Sequence, residues 1–409
     1  MGADDLAKNG EHAGEHAGER VGARSGVSAG VPRGVSVAVD TGPLHGRRTG
    51  IGNAVAWTLD ALASRADLEL LPYVLSTRAK ITAPERRLPI PAALAHRLWM
   101  HRSPSLDRLL GRPDIVHGTN YVVPPTRCPQ LVSVYDCWFL EHPDDVSDNV
   151  ARAARLLRRA VDRGAHVVTC SAATSALART LLNTDRVHTI LLGPPPVRVA
   201  AKRRDINLDQ SNGDWPTELS ALAVGSPFIL SLGTVERRKN VPQTVRAFAR
   251  VADEHSTVNL VIAGAPGNDQ AAVDQAIHQL PDAMRPRVVR LGSVDDSLKS
   301  RLLVNASALA YPSLDEGFGF PLLEAQQAGL PVAASTAGSI PEIAGSAALY
   351  SAPTDVDALA ANLHLAITSE TVRTKLIDQG HRNLERFSWA STADQLTQLY
   401  IDIVNGAAS

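Results

Sequence analysis

Residues 316–324 read EGFGFPLLE, and this stretch predicts a loop that turns into a helix near residue 320. Pro321 suits the first helical position, where its missing N–H costs nothing, and Gly329 suits the left-handed cap that ends a helix. The residues that follow, LPVAAS, are typical of a buried strand. A loop, a helix and a buried strand in this order indicate one unit of a parallel α/β sheet.

The same stretch has the chemistry of a site for phosphate and sugar groups. The start of a helix attracts phosphate through its exposed N–H groups and positive dipole end, and Gly317 and Gly319 let the backbone approach a ligand closely. Glu316 falls on the loop and Glu324 on the first turns of the helix. Each carboxylate can accept hydrogen bonds from two neighbouring hydroxyls, one pair on a sugar and one on a ribose. A helix flanked by unrelated glutamates is the alternative.

Outward from this stretch, short apolar runs alternate with helical segments along most of the chain. This alternation predicts an α/β protein with two Rossmann-like, doubly wound parallel-sheet domains that face a cleft. In open sheets of this kind the ligand lies at the carboxyl ends of the strands. The runs are VSVAV, LELLPYVL, DIVHG, QLVSVYD, HVVTCS and VHTILLG in the first half, and FILSLG, VNLVIAG, RVVRLG, ALAYPS and LPVAAS in the second.

Changes in composition set the predicted domain boundaries. Residues 1–33 have low hydrophobicity and no periodicity, so a disordered tail is expected there. The first sheet domain is predicted over residues 34–200, and the second over residues 226–386. The polar interval between them, residues 201–225, is predicted to be a linker. Residues 387–409 are predicted to form a final helix.

Charge and cysteine content exclude several classes of protein. The net charge of −1 excludes a general nucleic-acid binder, which would carry a strong basic excess. Cys128, Cys137 and Cys170 have neither metal-ligand spacing nor a disulfide pattern, which favours the reduced cytoplasm. The chain shows no run of about 18 apolar residues and no apolar signal-peptide core. A cytoplasmic protein is therefore predicted, with peripheral contact at the inner membrane face as an extension of that prediction.

The sequence resembles a known enzyme family over its second half. EGFGFPLLEAQQAGLPV, followed by GSIPEIAGSAALY, resembles the carboxylate motif and downstream segment of retaining, nucleotide-sugar-dependent glycosyltransferases of family 4. The resemblance implies the GT-B fold, in which the last helix crosses back onto the first, acceptor-side domain. It also implies transfer of a hexosyl group, with mannose from GDP-mannose as the expected donor, to a glycan or lipid-diphosphate-linked glycan. The nucleoside-diphosphate sugar would be a co-substrate, and neither a cofactor nor a metal is implied.

The resemblance assigns the donor to the second domain. Glu316 and the backbone of the following glycine loop would hold the sugar, Glu324 the ribose, and the start of the helix the leaving diphosphate. Val294, in LGSVDDSLKSRLL, would border the nucleotide base. The implied donor-binding residues are Gly50, Ile51, Gly52, Arg238, Lys239, Val294, Glu316, Gly317, Phe318, Gly319, Phe320, Leu322, Leu323 and Glu324.

Two cations follow the first strand of the second domain. SLGTVERRKN places Arg238 and Lys239 at the carboxyl end of that strand, where positive charge can neutralise a diphosphate. The family commonly has a further arginine directly after the glycine, but Thr234 stands there in this chain. Charge neutralisation is therefore assigned mainly to Lys239. A solvated pair of charges at the start of a helix is the alternative.

A flexible turn follows the first strand of the first domain. GRRTGIGNAV comes after VSVAVD and opens a helix, so the N–H groups of Gly50, Ile51 and Gly52 are placed to face the donor diphosphate or to bind the acceptor. The turn lacks the third glycine of a dinucleotide fingerprint. A purely structural turn is the alternative.

Three more residues of the first domain are assigned to the acceptor side of the cleft. His117 ends DIVHG, where it either lines the acceptor site or is a packed, hydrogen-bonded histidine. VSVYDCWFLEHP resembles a family strand that ends in His-Asp, with Tyr135 in place of the histidine. A phenol donates a hydrogen bond but does not titrate near neutral pH. Asp136 either contacts the acceptor hydroxyl or caps a turn. The implied catalytic residues are Glu316, Lys239 and Asp136, and the sequence identifies no nucleophile.

Basic residues concentrate in the first domain. Arginines at positions 152, 155, 159 and 163 share one predicted helical face, and RRLPIPAALAHRLWMHR is cationic and partly apolar. With Trp99 nearby, this region suits docking to an anionic membrane surface or to a diphosphate-linked lipid acceptor. A solvated helical face is the alternative.

Two other functional classes remain open at this point. One is a different GT-B enzyme, such as a nucleotide-sugar epimerase or a sugar phosphate synthase. The other is a non-catalytic partner subunit that binds a glycan. The joint presence of Glu316, Lys239 and Glu324 argues against the second class.

Overall fold

A computed structural model of the protein describes residues 34–46, 48–101, 104–196 and 217–408. The predicted disordered tail, residues 1–33, lies outside the described residues. So does most of the predicted linker, and the rest of that linker includes the short helix Thr217–Ala221.

The first domain is built on a seven-stranded sheet, in which the paired strands are parallel. Its strand order is β3-β2-β1-β4-β5-β6-β7. The strands are β1 Val35–Asp40, β2 Leu68–Leu75, β3 Arg86–Leu88, β4 Ile115–Gly118, β5 Gln130–Val134, β6 His166–Thr169 and β7 Val187–Thr189.

The second domain is built on a six-stranded parallel sheet with the order β10-β9-β8-β11-β12-β13. The strands are β8 Phe228–Leu232, β9 Asn259–Ala263, β10 Val288–Gly292, β11 Ala308–Tyr311, β12 Val332–Ser335 and β13 Leu349–Ser351. All the residues of β8 and β11 are buried, as expected for central strands that helices cover on both faces.

Helices connect the strands and pack against both sheets. They are α1 Gly50–Leu62, α2 Ala92–His101, α3 Trp138–Glu141, α4 Asp148–Asp162, α5 Ala172–Leu182, α6 Thr217–Ala221, α7 Val241–Glu254, α8 Gln270–His278, α9 Asp296–Asn305, α10 Phe320–Gln327, α11 Ile340–Ala344, α12 Val356–Thr368, α13 Glu370–Leu384 and α14 Trp389–Val404. Short 3₁₀ turns occupy Gly42–Leu44, Pro143–Asp145, Arg237–Lys239 and Arg285–Arg287.

The predicted fold class is confirmed: two Rossmann-like parallel sheets, each with helices on both faces. Each of the eleven apolar runs overlaps a strand of the structure. In each sheet the strand order reverses beside the first strand, between β1 and β4 and between β8 and β11. Ligands of doubly wound sheets bind in the crevice at such a reversal. The loops after β8 and β11 carry Lys239 and Glu316, respectively.

The last helix packs on the first domain. Tyr400 of α14 is fully buried in a cluster with Val37 of β1 and Ile115 of β4. Near the start of α14, the Trp389 indole N–H donates to the Pro194 carbonyl at 2.8 Å. The chain thus returns from the second sheet to the first, and α14 ties the two domains together.

The basic region of the first domain differs from its prediction in one respect. Trp99, on α2, is 4% exposed and packs in the core, so it does not face a membrane. Leu94 and Leu98, one turn apart on the same helix, are 49% and 44% exposed. Membrane contact stays a prediction that rests on these leucines, and co-sedimentation with anionic vesicles would test it. None of the described helices has the length and apolar character needed to span a bilayer.

Candidate active site

The centre of the candidate site is a buried group of three charges. The Lys239 ammonium donates to Oε1 of Glu316 at 2.6 Å, and Nη1 of Arg238 donates to Oε2 at 2.7 Å. The cations come from the turn after β8 and the carboxylate from the loop after β11. Because these two strands are neighbours at the reversal of strand order, residues 77 and 78 positions apart in sequence meet at one point.

The charges of this group are fixed by their mutual contacts. Burial alone would raise the pKa of the Glu316 carboxyl, but the neighbouring Lys239 and Arg238 outweigh burial and lower the pKa to about 2. Glu316 is therefore ionised at neutral pH. Two cations thus contact one carboxylate, although Glu236 also lies 3.7 Å from Arg238 and burial lowers the pKa of Lys239.

Further contacts hold the two cations in place. The Lys239 ammonium lies 3.1 Å from the Tyr311 hydroxyl and 5.1 Å from the centre of the Tyr311 ring. Nη1 of Arg238 also donates to the Asp315 carbonyl at 3.0 Å. Both long side chains therefore have little conformational freedom left to lose when a ligand binds.

The loop from Glu316 to the start of α10 needs glycine at two positions. Gly319 is the N-cap of α10 with a φ of +95°, which a residue with a side chain adopts only with strain. A Cβ at Gly317 would lie 1.5 Å from the Tyr135 carbonyl oxygen, so any side chain there would collide with the first domain. The predicted close approach at Gly317 is thus an approach to the opposite domain.

The start of α10 offers fewer donors than the sequence predicted. The helix begins at Phe320, so Pro321 lies at its second position and supplies no N–H. The Leu322 N–H donates to the Gly319 carbonyl at 3.0 Å. A phosphate at this helix would therefore rely on the N–H of Phe320 and on the two cations more than on a full turn of amides. Gly329 adopts the predicted left-handed conformation after the helix, with a φ of +63°.

Glu324 forms a second buried ion pair beside the loop. It is 5% exposed, and its Oε1 accepts a hydrogen bond from the Lys299 ammonium of α9 at 2.8 Å. Burial lowers the pKa of Lys299, but the Glu324 carboxylate more than compensates, so the lysine pKa is raised. Val294, predicted to border the nucleotide base, precedes α9. It packs against the apolar cluster that contains Leu322 and Leu323. The sequence did not single out Lys299.

The first domain lies directly against this site. Trp57 of α1 packs edge-on against Phe320, with the ring centres 5.5 Å apart. Gly50 begins α1, and Thr49 caps it by accepting from the Gly52 N–H at 3.4 Å. The predicted turn, which includes Ile51, is therefore the N-terminus of a 13-residue helix. Phe318 is buried and packs against Phe320 and Phe387.

Tyr135 and Asp136 follow β5 and face the Glu316 loop. The Tyr135 carbonyl contacts Gly317, as described above, and burial raises the pKa of its phenol. One oxygen of Asp136 accepts from the Trp138 N–H at 3.2 Å, and the other lies 3.4 Å from the Tyr121 hydroxyl. Asp136 thus caps a turn, which was the alternative to contact with the acceptor. Its catalytic role stays a prediction.

His117 is a packed histidine in this structure and not an open acceptor-side group. It is 3% exposed. Nδ1 lies 2.7 Å from the Tyr400 hydroxyl and Nε2 lies 2.8 Å from the Ser133 hydroxyl. The ring borders a mostly apolar cavity between α1, α14 and the sheet, which Leu59 and Leu396 also line. Both ring nitrogens therefore have hydrogen-bond partners inside the protein.

The burial of His117 predicts a pH-dependent stability. Burial lowers its pKa from 6.5 to about 3, so between these values the unfolded chain binds a proton that the folded chain does not. Stability contributed by the neutral ring is present above pH 6.5 and is lost as the pH falls. Urea unfolding at about pH 7.5 and about pH 5 should show that wild type loses roughly 1–2 kcal/mol more than His117→Gln. Equal losses in the two proteins would contradict this role.

Asp40 is a carboxyl group at a strand end that the sequence did not single out. It ends β1 at the reversal of strand order in the first sheet. Burial raises the pKa of its carboxyl to about 6, although the Gly42 N–H, which donates to it at 2.9 Å, acts in the opposite direction. Its position after the apolar run VSVAV was the available signal, since polar residues at such strand ends often face the ligand.

The candidate site contains no group of ligands arranged for a metal ion among the described residues. The group of His, Cys, Asp or Glu side chains found close enough to share an ion is Glu254, His255 and His364. These residues lie at the C-terminal end of α7 and on α12. The sequence-based expectation of a metal-free site stays a prediction.

The chain is similar to known glycosyltransferases in sequence. Residues 219–383 match the family described as glycosyl transferases group 1. The O-antigen chain mannosyltransferase B of Escherichia coli is 31% identical over 175 residues, which are 42% of this chain and 45% of that protein. This chain therefore matches less than half the length of that relative.

About nine tenths of the chain is similar in fold to solved structures. Sucrose-phosphate synthase from Thermosynechococcus elongatus has a TM-score of 0.67 at 18% identity, over 91% of this chain and 100% of that one. Anabaena HepE, solved in complex with UDP and glucose, has a TM-score of 0.63 at 17% identity, over 89% and 99% of the two chains. Residues 219–383 thus match the glycosyl transferases group 1 family, and the two sheet domains of the chain have the GT-B fold.

Proposed function

We propose that the protein is a retaining, nucleotide-sugar-dependent glycosyltransferase of family 4. It transfers a hexosyl group from a nucleoside-diphosphate sugar to a hydroxyl of a glycan or lipid-linked glycan. The observation that carries this proposal is the buried group of Glu316, Lys239 and Arg238 at the reversal of strand order. The similarity to a mannosyltransferase supports mannose as the sugar and GDP-mannose as the donor.

In this proposal the two cations stabilise the leaving diphosphate. Lys239 and Arg238 already hold one carboxylate at 2.6 and 2.7 Å, so both cations are fixed in place before the donor binds. Charge that develops on the β-phosphate as the glycosidic bond breaks would meet donors that need no reorganisation. Such preorganised stabilisation is usually the largest contribution to catalysis. The Phe320 N–H at the start of α10 would add one hydrogen bond.

Glu316 has a double role in the proposed site. Each of its oxygens accepts a hydrogen bond from a cation, and the Ser313 and Tyr311 side chains also interact with this carboxylate. Lone pairs that these contacts leave free would accept from hydroxyls of the donor sugar. The same carboxylate would thus orient the two cations towards the diphosphate. It would also orient the sugar towards the acceptor, so both parts of the donor would depend on Glu316.

The proposed reaction needs no metal and no cofactor. In this proposal the phosphate charge is met by the protein cations Lys239 and Arg238. On the acceptor side, Asp40 and Asp136 are the carboxyl groups at the strand ends of the first domain. We assign the acceptor hydroxyl to this part of the cleft, at the inner face of the membrane when the acceptor is lipid-linked.

Glu324 provides a test of the donor assignment. If its carboxylate accepts hydrogen bonds from the ribose hydroxyls, Glu324→Ala should weaken the binding of free nucleoside diphosphate by roughly 1.5–3 kcal/mol, as expected for hydrogen bonds to a charged group. Titration calorimetry with GDP and UDP would measure this change. Glu370→Ala, at an exposed glutamate that begins α13, is the matched control. A dissociation constant unchanged by Glu324→Ala would remove Glu324 from the site.

A further inference from the structure

We propose that Glu342 is a positioning residue that closes the cleft by binding the N-terminus of α5 in the opposite domain. This closing contact, which we call the clasp, comprises Glu342 and Gly317 on one side and residues 171–174 on the other. The inference rests on the proposed function for its catalytic consequence. The contact between Glu342 and α5 is itself observed in the structure and does not depend on that function.

The Glu342 carboxylate completes the capping of α5. Its Oε1 accepts from the Ala172 N–H at 2.9 Å, and its Oε2 accepts from the Ala173 N–H at 3.1 Å. The next N–H, of Thr174, donates to the hydroxyl of the N-cap residue Ser171 at 3.1 Å. The first N–H groups of a helix have no partner within the helix. Here a side chain 170 positions away in sequence supplies two of the missing acceptors.

The charge of Glu342 suits this place. A carboxylate at the positive end of an 11-residue helix is stabilised by the helix dipole, and the two hydrogen bonds it accepts are charge-assisted. Glu342 and Ala172 are both partly accessible to water in the closed cleft. When the domains separate, water can solvate each group, so the contact favours closure without making it irreversible.

The same end of α5 also binds the loop that carries Glu316. The Ser171 hydroxyl donates to the Gly317 carbonyl at 2.7 Å, and the Thr174 hydroxyl does so at 3.1 Å. The Gly317 carbonyl is therefore engaged with the first domain and is not open to the donor sugar. Since Gly317 follows Glu316 directly, the clasp fixes the loop next to the buried charge group.

Backbone contacts join Glu342 to this loop within the second domain. Ser339, the N-cap of α11, donates its N–H to the Glu316 carbonyl at 3.0 Å and its hydroxyl to the Phe318 carbonyl at 3.1 Å. From the other side, Arg386 donates to the Glu342 carbonyl at 3.0 Å. Glu342 and the loop thus dock on α5 as one unit, and the position of Glu316 follows from whether the clasp is formed.

Hydrogen exchange tests the clasp without any substrate. In Glu342→Gln, amide exchange at Ala172 and Ala173 should be at least about tenfold faster than in wild type, because a charge-assisted acceptor is lost. Exchange in the second half of α5 should not change, which shows that the helix remains folded. Glu370→Gln, at another glutamate near a helix start, is the control and should leave residues 172–173 as protected as in wild type. Unchanged exchange at these two amides in Glu342→Gln would overturn the proposal.

Kinetics test the consequence for the reaction. Because Glu342 acts on closure and does not touch the donor, Glu342→Gln should lower kcat/KM at least about tenfold while changing the dissociation constant of nucleoside diphosphate by less than about threefold. Glu342→Asp keeps the carboxylate and should fall between wild type and Glu342→Gln. Equal loss in nucleotide binding and in kcat/KM would contradict a positioning role. If no donor is turned over at all, the proposed function fails while the exchange result still decides the clasp.

Discussion

Lys239→Ala is expected to lower the turnover number by roughly 10²-fold or more, by analogy with the loss of one preorganised donor to a developing anion. Lys239 is fixed by Glu316 at 2.6 Å and by Tyr311 at 3.1 Å, so its ammonium is preorganised before the donor arrives. Its removal leaves Arg238 paired with Glu316 and takes away one of the two cations proposed to face the diphosphate. Nucleotide affinity should fall less than turnover, since the charge on the leaving group is largest in the transition state.

Two further measurements complete the test of Lys239→Ala: a control variant and the addition of EDTA to the wild type. Lys375→Ala, at an exposed lysine of α13, should have the wild-type turnover number. If protein cations alone stabilise the leaving group, EDTA should leave wild-type activity unchanged. Activity that EDTA abolishes and Mn²⁺ restores, or normal turnover in Lys239→Ala, would overturn this explanation of leaving-group stabilisation.

Glu316→Ala is expected to destabilise the second domain by roughly 3–5 kcal/mol, the range for breaking a buried ion pair by removing one partner. The variant would leave Lys239 and Arg238, whose side chains are 14% and 16% exposed, without their buried carboxylate. The penalty is large because both cations would lose the buried carboxylate that they share, and Arg238 would keep only the more exposed Glu236 carboxylate, 3.7 Å away. Urea unfolding would measure the loss of stability, with Glu385→Ala at an exposed glutamate as the control.

A double-mutant cycle separates this effect from general damage to the fold. In Glu316→Ala with Lys239→Met, one of the two unpaired charges is gone, so the double variant should be more stable than the sum of the single changes predicts. Additive losses within about 0.5 kcal/mol would mean that Glu316 and Lys239 are not energetically coupled. Such additivity would contradict the charge group as the structure shows it.

The fold was predictable because buried parallel strands leave a clear pattern in the sequence. Strands covered on both faces appear as continuous apolar runs, and β8 and β11 are fully buried examples. The strands that the sequence analysis missed, β3 and β13, are three-residue strands at the edges of the sheets. Such short segments, which read RRL and LYS, lack a pattern that periodicity can detect.

The site was predictable in outline but not in its contacts. The family resemblance named Glu316, Lys239 and Arg238, but not that both cations bind the same carboxylate. The sequence could not tell whether His117 faces the acceptor site or the protein interior. Alternate residues of a strand point to opposite faces, and the sequence does not show which face each of them takes. The contact of Glu342 with Ala172 spans 170 positions and two domains, and no local pattern encodes it.

Thermal denaturation with a panel of nucleoside-diphosphate sugars tests the central claim most directly, because it needs no knowledge of the acceptor. A ligand present at about 100 times its dissociation constant stabilises the folded protein by about 2.7 kcal/mol. We predict that at least one donor, with GDP-mannose as the first candidate, raises the melting temperature of the wild type without added metal, and that this shift is smaller in Lys239→Ala and in Glu324→Ala. A panel in which no nucleoside-diphosphate sugar stabilises the wild type, or in which both variants respond as the wild type does, would contradict the proposed glycosyltransferase site.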